Sequence, residues 1–244
     1  LQLLTPLRLD GRSGAGYTAN FQEPMAAKFG IVALLAGITV ACATRTDGPA
    51  QPIVRQFEVE AVQATAPDDV PLQILFDWNV REPDARFSGR GAARVQGPYR
   101  ARLDLFGPRG EGYLSAAVVD GELRLPPSVS PAAVPPVPLL WSVLGVFRPP
   151  MGATLVGTRR DGSTTRLEYQ GDDGRWSFRL EDGRVRRAEW NRADGHRYTV
   201  ELEGQAPHGL PKKAVYRDWA AFTELTLELD DVERVESFSP DIWT

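Results

Sequence analysis

Cysteine is nearly absent from this chain: Cys42 is the only one in 244 residues. A lone cysteine makes no intramolecular disulfide, so the fold must stand on its core. Histidine is almost as scarce. His196 follows Asp194-Gly195 and His208 lies in Ala206-Pro-His-Gly209, both turn-like contexts. One Cys and two His supply no zinc-binding cluster, and no metal site is expected. A Gly-x-Ser-x-Gly nucleophile elbow is missing as well. Acids are plentiful, but Asp230, Asp231, Glu233 and Glu236 read as a solvated edge. No catalytic residue, no cofactor and no enzymatic activity are therefore expected. Charge of one sign is not in excess: 28 Lys and Arg face 32 Asp and Glu, a net charge of -4. The arginines are scattered between acids, which argues against a nucleic-acid partner. Finally, no apolar run reaches the roughly 18 residues that a membrane-spanning helix needs.

One apolar run is present, and it organises the N-terminal part. Met25-Ala-Ala-Lys28 leads into 12 residues from Phe29 to Val40, then Ala41 and Cys42. A charged start, a short apolar stretch and a small residue before a cleavage point make a secretory signal peptide over 25–41. Thr39-Val40-Ala41-Cys42 resembles a bacterial lipobox, with Thr39 in place of the usual Leu. On that reading Cys42 is lipidated and anchors the protein to the cell envelope. Ala43 after the cysteine leans towards the outer membrane, facing the periplasm. Residues 1–24 read as translated upstream sequence or a disordered extension. Gly11-Arg-Ser-Gly-Ala-Gly16 lacks the strand and the Lys-Ser/Thr of a phosphate loop. Residues 42–52, polar with Gly48, Pro49 and Pro52, form a tether.

The remaining chain, 53–244, reads as one domain, mainly β. A short helix is expected over Ile53–Ala66, stopped by Pro67 and Pro71. From Leu72 the pattern has period two. Ile74, Phe76, Trp78 and Val80 alternate with Leu75, Asp77, Asn79 and Arg81; similar runs surround Leu103, Trp176, Val200 and Leu227. Such alternation marks strands with one buried and one wet face. Asp120-Gly121, Asp161-Gly162, Asp182-Gly183 and Asp194-Gly195 separate strand-like runs and suit tight hairpins. The pattern predicts a curved antiparallel meander, an incomplete barrel of about 10 or 11 strands. Gly89 and Gly91 on the inward face point to strong curvature or close backbone approach. The meander breaks at Pro126–Pro150. PPSVSPAAVPPVP cannot form a ladder, and PLLWSVLGVFRPP offers a second helix from Leu139 to about Phe147. That segment is too apolar to lie in water and must cover something. Two short helices over ten strands leave a concave, apolar interior, and the alternation alone is equally compatible with a cavity or a solid core.

Several motifs in order carry a resemblance. They are Phe76-Asp-Trp-Asn-Val80, Tyr99-Arg-Ala-Arg-Leu-Asp-Leu-Phe-Gly-Pro-Arg-Gly110, Leu140-Trp-Ser-Val-Leu-Gly-Val-Phe-Arg-Pro149, Leu210-Pro-Lys-Lys213 and the run Leu225–Val235. From Ile53 to Val235 the chain resembles the LolA/LolB superfamily of lipoprotein carriers, and most of all its LolB branch. The resemblance implies a half-barrel whose helices act as a lid over a cavity for acyl chains. It assigns Trp78, Phe87, Leu103, Leu105, Leu114, Trp176 and Phe178 to the cavity wall, and Trp141, Leu144 and Phe147 to the lid. It implies a lipid or an acylated lipoprotein as partner, contact with the membrane through the anchor, and a monomer. The LolB branch carries a protruding Leu in an Asn-Pro-Leu-Gly loop after its third strand, used in delivery to the membrane. The matching loop here is Gly107-Pro108-Arg109-Gly110, with Arg109 in the Leu position. Arginine meets phosphate headgroups but does not insert into acyl chains. The expectation is a divergent carrier of lipids or lipoproteins; the alternative is an envelope interaction lipoprotein with a filled core.

Overall fold

A computed structural model describes residues 52–67 and 69–243. The expected extension, signal peptide, lipidation site at Cys42 and tether, up to residue 51, lie outside the described residues. Helix α1 spans Pro52–Ala64. The first strands are β1 (Leu72–Arg81), β2 (Arg86–Gln96), β3 (Arg100–Phe106), β4 (Gly112–Val119) and β5 (Glu122–Arg124). A crossover follows, holding a 3-10 turn at Pro131–Ala133 and helix α2 at Val137–Val143. The second group is β6 (Thr154–Asp161), β7 (Thr164–Gly171), β8 (Gly174–Glu181), β9 (Arg184–Arg192), β10 (Arg197–Glu203), β11 (Lys213–Asp218) and β12 (Thr223–Arg234).

These 12 strands form one antiparallel sheet in the order β5-β4-β3-β2-β1-β12-β11-β10-β9-β8-β7-β6. The ends of the described meander, β1 and β12, therefore pair at its centre, while β5 and β6 are the two edges. The sheet does not close, and the crossover runs from one edge to the other across its concave side. The count exceeds the expected 10 or 11 by one or two, and the edge strands carry the weakest signal. β5 is only three residues long, and β6 is partly exposed on both faces, so neither shows a period-two pattern.

Alternation sets the faces. On β1, Leu72, Ile74, Phe76, Trp78 and Val80 are buried while Leu75, Asp77, Asn79 and Arg81 are exposed. The glycines of β2 serve the close approach. A Cβ on Gly91 would collide with the Phe76 ring, and one on Gly89 with the Phe106 carbonyl. The Phe76 ring lies over Gly91, and the Trp78 indole Nε1–H donates to the carbonyls of Arg90 and Phe106, both at 3.0 Å. Asp120-Gly121 and Asp182-Gly183 have positive φ at both positions, as two-residue hairpins require. At the other two Asp-Gly pairs only the glycine does: Asp161 still belongs to β6, and Asp194 sits inside a longer loop.

Helix α2 is shorter than its apolar sequence suggests, and Gly145 explains why. With φ of 78° it ends the helix. The Val146 N–H reaches back to Trp141 O at 3.0 Å and Gly145 N–H to Ser142 O at 2.9 Å, the two bonds of a Schellman stop. Phe147 thus lies beyond the helix, where its own N–H donates to Thr65 Oγ1 at 2.9 Å. The C-terminal turn Pro240–Trp243 packs on the outer side of β3 and β4. Arg102 donates to Ile242 O and Arg124 to Trp243 O, and Trp243 is buried.

Candidate functional site

In this meander the β1–β2, β3–β4 and β11–β12 turns all fall at one end of the sheet. Below them, between the inner faces of β3, β4, β11 and β12 and the crossover, lies a cavity of about 390 Å³. Its walls are Val80, Leu103, Leu105, Leu114, Tyr216 and Leu225. Its cover is the proline-rich strap from Ser128 to Pro135. The strap has little ladder-forming backbone, and its side chains over the cavity are small: Ser128, Val129, Ser130, Ala132 and Ala133. A Ser130 hydroxyl that accepts from Ala132 N–H fixes its 3-10 turn.

The expected wall residues divide into three groups. Leu103, Leu105 and Leu114 line the cavity. Trp78 is buried beside it, its ring 4.8 Å from that of Tyr113. Phe87, opposite Val80 in the ladder, is on the inner face but at the rim, 40 % exposed against Tyr113. It is rim rather than wall because β2 begins at Arg86 and no strand covers its end. Trp176 and Phe178 lie elsewhere, in the part of the concave face that is filled. There Phe147 and Phe178 meet edge to face at 4.9 Å, and Tyr169 packs edge to face on Phe178.

The residues expected in a lid also sit differently. Trp141 and Phe147 are 1 % and 0 % exposed. Five of the seven residues of α2 are buried. The helix is sunk into the half-barrel as a plug, and Leu144 caps its end half-buried. The strap covers the cavity instead. Its lack of periodicity hid that role, although its break in the meander was visible.

The loop Pro108-Arg109-Gly110 is exposed and lies at the cavity end of the sheet. Arg109 N–H donates to Glu111 Oε2 at 2.9 Å. The large apolar groups exposed at that end belong to flanking elements: Phe106 at the end of β3, Phe87, Tyr113, and Trp219 and Phe222 in the β11–β12 turn. Tyr113 becomes a rim residue through a bulge, since Leu105 pairs with Leu114 but Phe106 with Gly112.

Ionisable groups at the mouth are few. Burial raises the Tyr113 phenol above its ordinary range, and the nearby Glu82 carboxylate adds to the effect. Burial likewise raises Tyr216, with Asp218 and Tyr198 contributing. Among the described residues no group of three His, Cys, Asp or Glu is placed to hold a metal. His196 is exposed in the β9–β10 turn, and His208 lies in the 3-10 turn Pro207–Gly209 at the opposite end of the sheet. No helix among the described residues is long and apolar enough to cross a membrane.

No family model matches the sequence, and no curated protein is detectably similar to it. Solved structures are. A LolA superfamily protein from Nitrosomonas europaea superposes with a TM-score of 0.52 at 16 % identity, over 78 % of this chain and 96 % of that one. A putative outer membrane lipoprotein-sorting protein domain from Vibrio parahaemolyticus gives 0.44 at 8 % identity, over 78 % and 95 %. A MucA/MucB complex structure from Pseudomonas aeruginosa gives 0.31 at 15 % identity, over 79 % of this chain and 60 % of that one. An open 12-stranded antiparallel sheet with two helices, superposed on the first of these, gives this chain the LolA/LolB-like fold.

Proposed function

We propose that the chain is a carrier or receptor of the cell envelope that shelters an acyl chain in its half-barrel. The observation that carries this reading is the cavity itself. A volume of about 390 Å³ falls near the low end of small-molecule sites, about 300–1,000 Å³. Its deep wall is aliphatic, and each buried methylene contributes about 0.8 kcal/mol. That size suits one slender chain rather than several. A diacyl or triacyl ligand would need the strap to move, and the strap's sparse hydrogen bonding permits that. Lipidation at Cys42 and attachment to the outer membrane complete the proposal.

The test is native mass spectrometry of the full chain, extracted from an envelope, together with displacement of a fluorescent acyl probe. Stoichiometric lipid or acylated peptide is expected. A chain that carries none and leaves the probe in solution overturns the carrier reading. A second reading, an interaction domain, is favoured by one observation. Trp219 and Phe222 are exposed in the β11–β12 turn at the cavity end of the sheet, where a partner protein would cover them. Arg109→Leu separates the two for membrane delivery. It is expected to raise transfer of bound lipid to vesicles if the β3–β4 loop delivers cargo, and to change nothing if the protein only binds a partner.

A further inference from the structure

The charges among the residues that line the cavity are of one sign. Among the residues that line the cavity there is no Lys, Arg or His, but there are two acids, Glu82 and Asp218. Both are placed by the strand alternation. On β1 the inward series Ile74, Phe76, Trp78, Val80 continues to Glu82, just beyond the strand. On β11 the series Ala214, Tyr216 continues to Asp218. Where five inward positions of β1 are apolar, the last step on each of the two strands is a carboxylate. Asp218 is held in place, its Oδ1 accepting from Ala220 N–H at 2.9 Å and Ala221 N–H at 3.0 Å. Among the described residues neither carboxylate forms an ion pair. The arginine next to Asp218 is already engaged: Arg217 points outward and binds Glu201 at 2.7 Å and Glu224 at 2.8 Å. Two phenol rings, Tyr113 and Tyr216, line the same mouth.

Carboxylates beside aromatic rings attract a cation. The negative ring face draws an ammonium group, and quaternary ammonium recognition relies on this attraction. The same groups repel a phosphate or carboxylate. We propose that the cavity takes an amphiphile with one apolar tail and an ammonium head, the tail against Leu103, Leu105, Leu114 and Leu225 and the head between Glu82, Asp218 and the rings of Tyr113 and Tyr216. The proposal rests on the acyl-binding reading above and adds the charge of the head. An acyl chain next to a free amino group, or a quaternary ammonium lipid, satisfies it; a fatty acid or a phosphate monoester does not.

The experiment is calorimetric titration of the full chain with three probes of one tail: dodecyltrimethylammonium, dodecyl maltoside and dodecyl phosphate, each below its micelle concentration. The ammonium probe is expected to bind about tenfold more tightly than the phosphate probe, about 1.4 kcal/mol. The gap is expected to shrink with added salt and to vanish in Glu82→Gln/Asp218→Asn. Tyr113→Leu should weaken the ammonium probe more than the maltoside. Equal affinity for all three heads overturns the head selectivity while leaving the acyl-binding reading in place. A preference that survives Glu82→Gln/Asp218→Asn also overturns it. Binding of none of the three overturns both. Leu103→Trp, which fills the cavity, should abolish binding of every probe; if it does not, the site lies elsewhere and the proposal fails.

Discussion

One concave face is furnished in two ways. Against β7 to β10 it is solid: Trp141, Phe147, Tyr169 and Phe178 are each 1 % exposed or less. Against β3, β4, β11 and β12 it is hollow, with about 390 Å³ unfilled. The strands do not cause the difference, because both halves carry the same inward series of Leu, Val and aromatic residues. The crossover causes it. Where the chain lays down α2 and Phe147, large side chains fill the interior. Where it lays down the strap, Ser, Ala and Pro cannot reach the far wall. Size of side chain on one connecting segment thus decides whether a half-barrel is a core or a container.

Breaking the filled half should have the largest effect. Phe147→Ala removes a fully buried ring that meets Phe178 at 4.9 Å. A loss of about 3–5 kcal/mol is expected, read by denaturant unfolding. A loss under about 1 kcal/mol would mean that this half is as loose as the other. Alkali probes the two halves together. Burial raises Tyr169 in the filled half, assisted by its 2.6 Å hydrogen bond to Glu58, and raises Tyr216 in the hollow half. A folded-state pKa above the unfolded one gives stability that is complete below about pH 10 and falls as pH rises beyond it. Tyr169→Phe and Tyr216→Phe should each flatten that fall. A stability that stays level through pH 11 counts against both burials. Filling the hollow half should cost least in stability. Leu103→Trp adds volume where there is room, so a change below about 1.5 kcal/mol is expected with loss of the acyl probe. A large destabilisation would show that the hollow is tighter than its volume suggests.

Much of this was readable in the chain. The alternation on β1 showed which residues face inward, while Glu82 and the Tyr216-Asp218 step at the mouth were not singled out. The apolar character of Leu139–Phe147 showed that this segment could not lie in water. Proline in 126–136 marked the break. Other features had no local signal. Pairing of β1 with β12 joins Leu72 to Arg234, a contact no short window reports. Phe87 and Trp78 share an inward face, yet one is 40 % exposed and the other 2 %; alternation gives the face and not the depth. The assignment of α2 as cover rather than plug failed for a related reason. A helix apolar all round fits inside a sheet as well as over it, and the small residues of the strap were the better clue to what lies on top.

The smallest effect tests whether the hollow half meets a surface. Phe222 is 75 % exposed and has φ of 54°. A left-handed backbone costs a residue with a Cβ about 1–2 kcal/mol, and such strain tends to persist at functional positions. Phe222 sits between Ala221 and Thr223, both of which line the cavity, and its own side chain is exposed to solvent. Glycine would relieve the backbone at some cost in chain entropy. Phe222→Gly is therefore expected to leave stability unchanged or raise it by up to about 1 kcal/mol, and to lower partition into lipid vesicles. If instead the melting temperature drops, the ring packs on the hairpin and its exposure has no bearing on ligand entry. If stability rises and vesicle binding is unaffected, the strain at Phe222 serves something other than a membrane.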